Sequence, residues 1–504
     1  MKIGFLLQRR FAVIGQALAS NLNQKYGLDK FCGYVLGREG YSYVKERNPL
    51  FAGRLLLDED IHRRYLTEKI DHQFLEKLEK DYGLPGLWPY LEIDRIIRSS
   101  QLIRAFPHDT PRFSHEEMLK IIQVTAKAII EFLDREKPDA MVFSVVGSLP
   151  GLLLYKIARK KGIKTLVIHH TRIATRHTLS DNCYNFGYVN DTFKRLNEGI
   201  ISLPEEQRLA ACYLKNLRHN PKPYRDLDSP KYHPVSRRQQ FSFIAPKKLL
   251  WSVYWRLKMI GRYLVNPNRD DYSNVNPFWE LWDNIKIKTR LLLGYGRFFD
   301  KISPDDNYAF FPLHREPEIA TLLFAPFYKD QLWLIKQIAQ SLPINFKLYV
   351  KEHAPMLGLR KRSFYRELKK IPNVVLVSPA AESLDLINKA RLIYTISGTA
   401  GWEAVQLKKP VITFSNIFYT KLPMVKECQS IKDLPRLTFE QLKNFRHDEA
   451  ALINFLAAIF RESAEVDLTR IWQIETANYI EEEKEELMPL ADMIASKLSL
   501  EPNK

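Results

Sequence analysis

The chain has 504 residues, 45% of them hydrophobic and 27% charged, with a formal net charge of +18 at pH 7. That length asks for more than one core, because single cores rarely grow beyond about 250–300 residues, and the apolar fraction excludes disorder as the main state. Cys32, Cys183, Cys212 and Cys428 are far apart and form no CxxC pair, so neither a disulfide framework nor a thiolate zinc site is indicated, and a reducing cytoplasm is the expected setting.

From the N-terminus, the run Ile3–Leu7 reads as a short buried strand, cut off by Arg9 and Arg10 too soon for a signal peptide. A helix is expected through Gln16–Lys25. A second, Glu116–Leu133, places Ile121, Ile122, Thr125, Ile129, Phe132 and Leu133 on one face. The turn Lys137-Pro138-Asp139 then leads to a strand, Ala140–Val146, a loop at 147–151, a helix, Leu152–Lys160, and a strand, Lys164–Ile168. The longest uncharged stretch, Ala140–Tyr155, holds Gly147, Pro150 and Gly151 and falls short of the ~20 residues of a membrane-spanning helix. Helix, turn, apolar strand, helix, apolar strand is the rhythm of a parallel sheet with crossover helices.

The rhythm returns after Pro304. Strands are expected at Tyr308–Phe311, Phe346–Val350, Val374–Val377, Leu392–Ile396 and Val411–Phe414, with helices at Gln331–Ser341, Phe364–Lys370, Ser383–Ala390 and Gly401–Leu407. The tail Thr469–Leu498 has a helical pattern that Pro489 is expected to break. The fold class is therefore α/β: two Rossmann-like doubly wound domains facing a central cleft, with a helical basic insertion. The expected boundaries are 1–205, 206–300 for the insertion, 301–465, and 466–504 for the helical tail. In such folds ligands bind beyond the carboxyl ends of the strands, so functional residues belong just after strands.

Three strand-end loops of the second domain carry suitable chemistry. FFPLHREPE supplies His314, Arg315, Glu316 and Glu318, and YVKEHAP supplies Lys351, Glu352 and His353. TISGTAGWEA places Ser397, Gly398 and Thr399 at a helix start that opens on Trp402 and Glu403. Small residues let backbone N–H groups face an anion at a helix N-terminus, and hydroxyls and cations add to the attraction. Each loop alone has a plainer reading, as a capped helix start or a solvated turn. Their coincidence on one sheet edge points to ligand binding.

In this order, xPLHxxPE, KEHxP and SxTxGxEA followed by Lys409-Pro410-Val411-Ile412, the motifs resemble the capsule polysaccharide biosynthesis family of bacterial glycosyltransferases, which includes Kdo-transferase-like enzymes of two-domain GT-B fold. The resemblance spans Tyr308 to Tyr419. Family members carry Gln-Pro-Glu where this chain has Glu316-Pro317-Glu318 and His-Pro where it has His353-Ala354-Pro355, so the shared Glu falls on Glu318 and the shared His on His353. The resemblance implies a nucleotide-sugar donor, CMP- or UDP-activated, held by the C-terminal domain with no required metal and no cofactor. His314, Arg315, Lys351, His353, Ser397, Gly398 and Thr399 would hold its phosphate side, with His353 also a catalytic candidate that could stabilise the departing phosphate. Glu403 would hold a hydroxyl pair, and Glu318 would position or protonate at the reacting centre.

In the first domain, LVIHHTRIATRHTLSDN reads as one strand-end loop, giving His170, Arg172 and Arg176 as acceptor-binding candidates and Asp181 (or His170) as a candidate general base. Its histidines lack regular zinc spacing. Asp58-Glu59-Asp60 precedes a helical run and reads as an N-cap with an acidic first turn rather than a metal-binding DxD. GxxxxGK[ST], GxGxxG and GxSxG are all missing from the sequence.

Between Lys231 and Asp270, nine Lys and Arg face a single acid, a net +8 of the +18. Residues 241–264 interleave those cations with Trp251, Tyr254, Trp255 and Tyr263, and Leu250, Tyr254, Leu257 and Gly261 fall on one helical stripe. Such a helix suits an anionic membrane surface, or else packs its stripe on the α/β domains. Without a reader motif, nucleic acid is not an expected partner. The expected function is transfer of a sugar from a nucleotide-sugar to a glycan or lipid-linked acceptor in surface or capsular polysaccharide biosynthesis. The chain would act in the cytoplasm or peripherally on the inner face of the cytoplasmic membrane. The alternatives are a nucleotide-sugar epimerase of the same fold and a non-catalytic polysaccharide-binding or export partner.

Overall fold

Short apolar runs become buried strands, and the amphipathic stretches between them become covering helices. The computed structural model describes residues 1–84, 86–100, 112–221, 241, 245–473 and 481–503. It divides into two units, one comprising Met1–Ile97, Pro111–Tyr213 and Ala450–Lys504 and the other mainly Leu214–Glu449.

The first unit contains β1 (Lys2–Leu7), β2 (Lys30–Val35), β3 (Leu55–Leu57), β4 (Ala140–Phe143), β5 (Lys164–His170) and β6 (Arg176–Ser180). A further strand from the C-terminal region, Ser463–Glu465, is numbered β13. The sheet order is β13-β6-β5-β4-β1-β2-β3, with β1 to β5 parallel and β6 and β13 antiparallel to their neighbours. Gly4 sits in the middle strand, where a Cβ would come within 2.1 Å of Met141 Sδ and 3.2 Å of Cys32 Sγ, so the neighbouring strands close over it only because it has no side chain. The helix expected over Glu116–Leu133 runs His115–Glu136 and starts on a reciprocal cap between Ser114 and Glu117. The helix expected from Leu152 starts at Leu149, because Ser148 accepts a bond from the Gly151 amide and Pro150 fits the first turn.

The C-terminal chain differs most from expectation. Rather than ending a second domain at 465 and leaving 466–504 as a tail, everything from Ala450 belongs to the first unit. Ala464 pairs with His177 across β13 and β6, and Leu490, Ile494 and Leu498 join the apolar core of Ile3, Phe5 and Leu18. The helical pattern changes at Pro489, where a 3-10 helix, Glu481–Leu487, gives way to an α-helix. Pro489 occupies the first turn of that helix, Met488–Lys497, where a missing N–H costs nothing.

The second unit contains β7 (Tyr308–Pro312), β8 (Lys347–Lys351), β9 (Val374–Val377), β10 (Leu392–Thr395), β11 (Val411–Thr413) and β12 (Val425–Glu427), in the order β12-β11-β10-β7-β8-β9. All are parallel. The winding direction reverses between β7 and β10, which places a topological switch point beside the loops after β7, β8 and β10. The basic insertion is helical, at Pro246–Val265 and Pro277–Leu292, and both helices lie in this unit.

Candidate functional site

The three motif loops of the second unit are bound into one structure by two residues. His314 follows β7 and is buried. Its backbone N–H donates to Gln331 Oε1 at 2.7 Å, and its Nε2 lies 3.3 Å from the Ser397 amide and 3.4 Å from Thr395 Oγ1 on the β10 loop. Burial and the nearby charges of His353 and Arg360 push its imidazole down to about 3, so it is a neutral acceptor between two loops. Ser397 Oγ closes the same join by donating to the Ala320 carbonyl at 2.9 Å.

Arg360 is the second join, and the sequence did not single it out. Its guanidinium is buried and donates to Glu316 Oε2 at 2.5 Å, to Glu352 Oε2 at 3.1 Å and to the His314 carbonyl at 2.6 Å, tying the β7 loop to the β8 loop. Tyr365 OH and the His353 amide also donate to Glu352, at 2.6 and 2.7 Å. Burial pushes the Glu352 carboxyl up, and Arg360 with these donors opposes that shift. Glu316 and Glu352 are therefore scaffold rather than ligand groups. The signal for Arg360 was weak, since GLRKRS reads as an exposed cationic run.

Around this scaffold lie the polar residues expected from the motifs. Lys351, at the end of β8, donates to Ser383 Oγ at 2.7 Å, and burial lowers its pKa while Glu382 and Glu403 oppose the shift. His353 is held down at about 4 by burial and by the charges of Arg315, Lys351 and Arg360. Its Nδ1 is buried without a hydrogen-bond partner among the described residues. Arg315 and Glu318 form a half-exposed pair at 3.8 Å. Gly398 precedes the helix Thr399–Gln406, whose first turn carries no acid and whose Glu403 is buried. Lys351, His353, Arg315 and this helix start make a rim that attracts anions, with a neutral imidazole able to donate or accept.

The glycines of the third loop are there for close approach. Tyr419 OH donates to the Gly398 carbonyl at 2.8 Å, and a Cβ on Gly401 would lie 2.2 Å from that hydroxyl oxygen and 2.8 Å from Thr395 Cγ2. Gly401→Ala is expected to destabilise by about 1–3 kcal/mol, as overpacking does, and to weaken ligand binding at this loop. Chemical denaturation together with ligand titration checks both, and an unchanged midpoint with unchanged affinity refutes it.

Of the first-unit candidates, His170, Arg172 and Arg176 share one hairpin end and Asp181 lies apart from them. What was read as one loop is a hairpin, with His169 and His170 on β5, a turn at 171–175, and Arg176 and His177 on β6. Arg172 and Ala174 take left-handed backbone conformations in that turn, at φ 64 and 45. His170 accepts from the Arg172 amide at 2.8 Å, and its ring lies 4.6 Å from that of His177. Burial, then His177 and Arg172, push His170 down to about 3. Arg176 is engaged by Glu465 at 2.9 Å. Asp181 lies at the opposite end of β6, where its carbonyl accepts from Thr165 Oγ1 at 2.9 Å, beside the amino end of β5. A base working at the strand carboxyl ends with His170 and Arg172 cannot come from there, because β5 separates the two edges by roughly 20 Å. The acidic run, read as an N-cap with an acidic first turn, is the first turn of the helix Asp58–His62 but does not cap it, since the capping position is Leu57. Tyr34 OH donates to Asp58, the Arg38 amide to Glu59, and the Arg38 side chain pairs with Asp60. Among the described residues, no group of three or more His, Cys, Asp or Glu is placed to hold a metal, and no helix is long and apolar enough to cross a membrane.

No curated protein matches the chain. Among solved structures it is similar to Thermosulfurimonas dismutans KpsC, beta Kdo 2,7 transferase, at 11% identity over 72% of this chain and 89% of that one, with a TM-score of 0.36. The beta Kdo 2,4 transferase of the same KpsC shares 14% identity over 67% and 84%, also at 0.36. The UDP-GlcNAc 2-epimerase from Neisseria meningitidis bound to UDP-GlcNAc shares 15% identity over 99% and 100%, at 0.28. Within the chain, residues 324–427, which carry Lys351, His353, Arg360 and the Ser397–Glu403 loop, match the family model of the capsule polysaccharide biosynthesis protein.

Proposed function

We propose that this protein is a glycosyltransferase of capsular or surface polysaccharide assembly, taking a sugar from a nucleotide-sugar held by the second unit to a glycan or lipid-linked acceptor. The observation that carries this reading is the rim of Lys351, His353 and Arg315 beside the helix start at Thr399, inside or bordering the region that matches the capsule family. The donor phosphate lies against Lys351 and the Ser397–Thr399 backbone, and the unpaired Nδ1 of His353 meets a phosphate oxygen. Glu403 faces a hydroxyl pair. In transfer, the bond from the anomeric carbon to the phosphate oxygen breaks, and the nucleotide leaves with the electron pair. The acceptor oxygen bonds to the anomeric carbon and releases its proton, for which half-exposed Glu318 is the candidate acceptor. His170 and Arg172, at the carboxyl end of β5, are the acceptor-side candidates of the first unit.

The test is a panel of CMP-, UDP- and GDP-sugars against the full chain. A donor at a hundredfold its Kd stabilises the native state by about 2.7 kcal/mol, so one nucleotide class is expected to raise the melting temperature. Adding acceptor should then release nucleotide, with or without EDTA. Loss of transfer in EDTA, restored by magnesium or manganese, would refute the metal-free reading. Sugar isomerisation without acceptor would make the protein an epimerase, and no response to any donor would refute the transferase assignment.

A further inference from the structure

The two helices of the basic insertion leave an apolar, cationic surface exposed. Pro246–Val265 has no buried residue along its 20-residue length. Leu250 is 72% exposed and Trp251 61%, with Tyr254, Trp255 and Leu257 also exposed. The aromatics lie on one another instead of on the unit: Trp251 stacks on Tyr254 at 5.7 Å and meets Trp255 edge-on at 5.8 Å. Packing of this stripe against the α/β domains, which the sequence left open, is therefore not what the described residues show. The second helix, Pro277–Leu292, adds exposed Phe278, Trp282 and Ile285. The pair is a fixed platform. Arg256 bridges to Glu280 at 3.4 Å, and Arg290 donates to the Leu359 carbonyl at 2.8 Å, in the turn just after His353.

An exposed apolar face of this kind marks a contact surface, and its charge selects the partner. The first helix carries Lys247, Lys248, Arg256, Lys258 and Arg262 and no acid. On the second, Lys286, Lys288 and Arg290 stand against Glu280, which Arg256 engages, and the buried Asp283, so the pair stays net positive. A second copy of the same face would set like charges against each other. Trp and Tyr beside Lys and Arg match the headgroup layer of a bilayer, where amphipathic rings and cations both find partners. We propose that the helix pair at 246–292 docks the protein on an anionic bilayer surface. The platform belongs to the unit that carries the nucleotide-sugar candidates, and not to the first unit. The proposal stands apart from the transferase reading, because vesicle binding is measured without donor.

The experiment is co-sedimentation of the full chain with vesicles of phosphatidylcholine alone or with phosphatidylglycerol. The expected result is binding only to the anionic vesicles, released as salt rises. Lys247, Lys248, Lys258 and Arg262 changed together to Gln should weaken it about a hundredfold or more, since each cation near the surface adds roughly fivefold. Trp251→Ser with Trp255→Ser, which keeps every charge, should weaken binding by at least tenfold, whereas purely electrostatic adhesion would leave it unchanged. Circular dichroism and melting temperature establish that both variants are folded. Failure of the wild-type chain to bind anionic vesicles at low salt overturns the proposal. So does self-association through this face, seen as a dimer in sedimentation velocity that the Trp variant abolishes.

Discussion

Arg360→Met lowers the unfolding free energy by about 3–5 kcal/mol, the cost of removing one partner from a buried ion pair. The side chain of Arg360 is 5% exposed and that of Glu352 fully buried, so the variant leaves the Glu352 carboxylate in the interior with only Tyr365 OH and an amide for company. Methionine fills much of the volume, so the loss reports charge and hydrogen bonding rather than a cavity. Adding Glu352→Gln removes the stranded charge and recovers part of the loss. Lysine does not rescue, because its single ammonium cannot span Glu316, Glu352 and the His314 carbonyl at once. Urea unfolding of the two single variants and the double variant measures each step. A loss below about 1 kcal/mol for Arg360→Met would show that the three loops hold their places without the guanidinium.

Glu318→Gln keeps the fold and lowers sugar transfer by about 10²–10⁴-fold, the range for a lost proton-transfer group. The fold survives because the backbone carbonyl of Glu318, not its carboxylate, receives the Thr321 amide and hydroxyl at 3.1 and 3.2 Å, and its half-exposed pair with Arg315 contributes under about 1 kcal/mol. Donor affinity should stay near that of the wild type while turnover falls, which separates a lost proton acceptor from a lost binding contact. Turnover within threefold of wild type would move the chemistry to another residue.

Much of the second unit is legible in the sequence because its strands are buried on both faces and read as continuous apolar runs. Val374–Val377 falls where expected, and the other four expected strands end within one residue of the structure. Among the strands that were missed, β2, KFCGYV, is apolar but interrupted by Gly33, and β3, LLL, and β12, VKE, have only three residues each. β6, RHTLS, is polar, and β13, SAE, has three residues and no apolar pattern, so both depend on pairing partners far along the chain. The same blindness misplaced Asp181, since a loop and a hairpin of equal length put their last residue at opposite edges of a sheet. His314, Lys351, His353 and the Ser397 loop were readable from their position after strands. Arg360 was not, because among Arg360, Lys361 and Arg362 only the fold decides which cation turns inward.

The return of the chain from Ala450 to the first sheet also sets an order of events during synthesis. Until Ser463–Glu465 has been made, β6 presents an unpaired edge, and the core around Ile3 and Phe5 lacks Leu490 and Ile494. The ribosome must therefore deliver the whole second unit while the first waits with an open strand and an uncovered apolar face, the condition in which chains pair wrongly with each other or recruit chaperones. At roughly 5–20 residues per second that interval lasts on the order of ten seconds to a minute, so stalling within the second unit would expose an aggregation-prone nascent chain although its first 200 residues are complete.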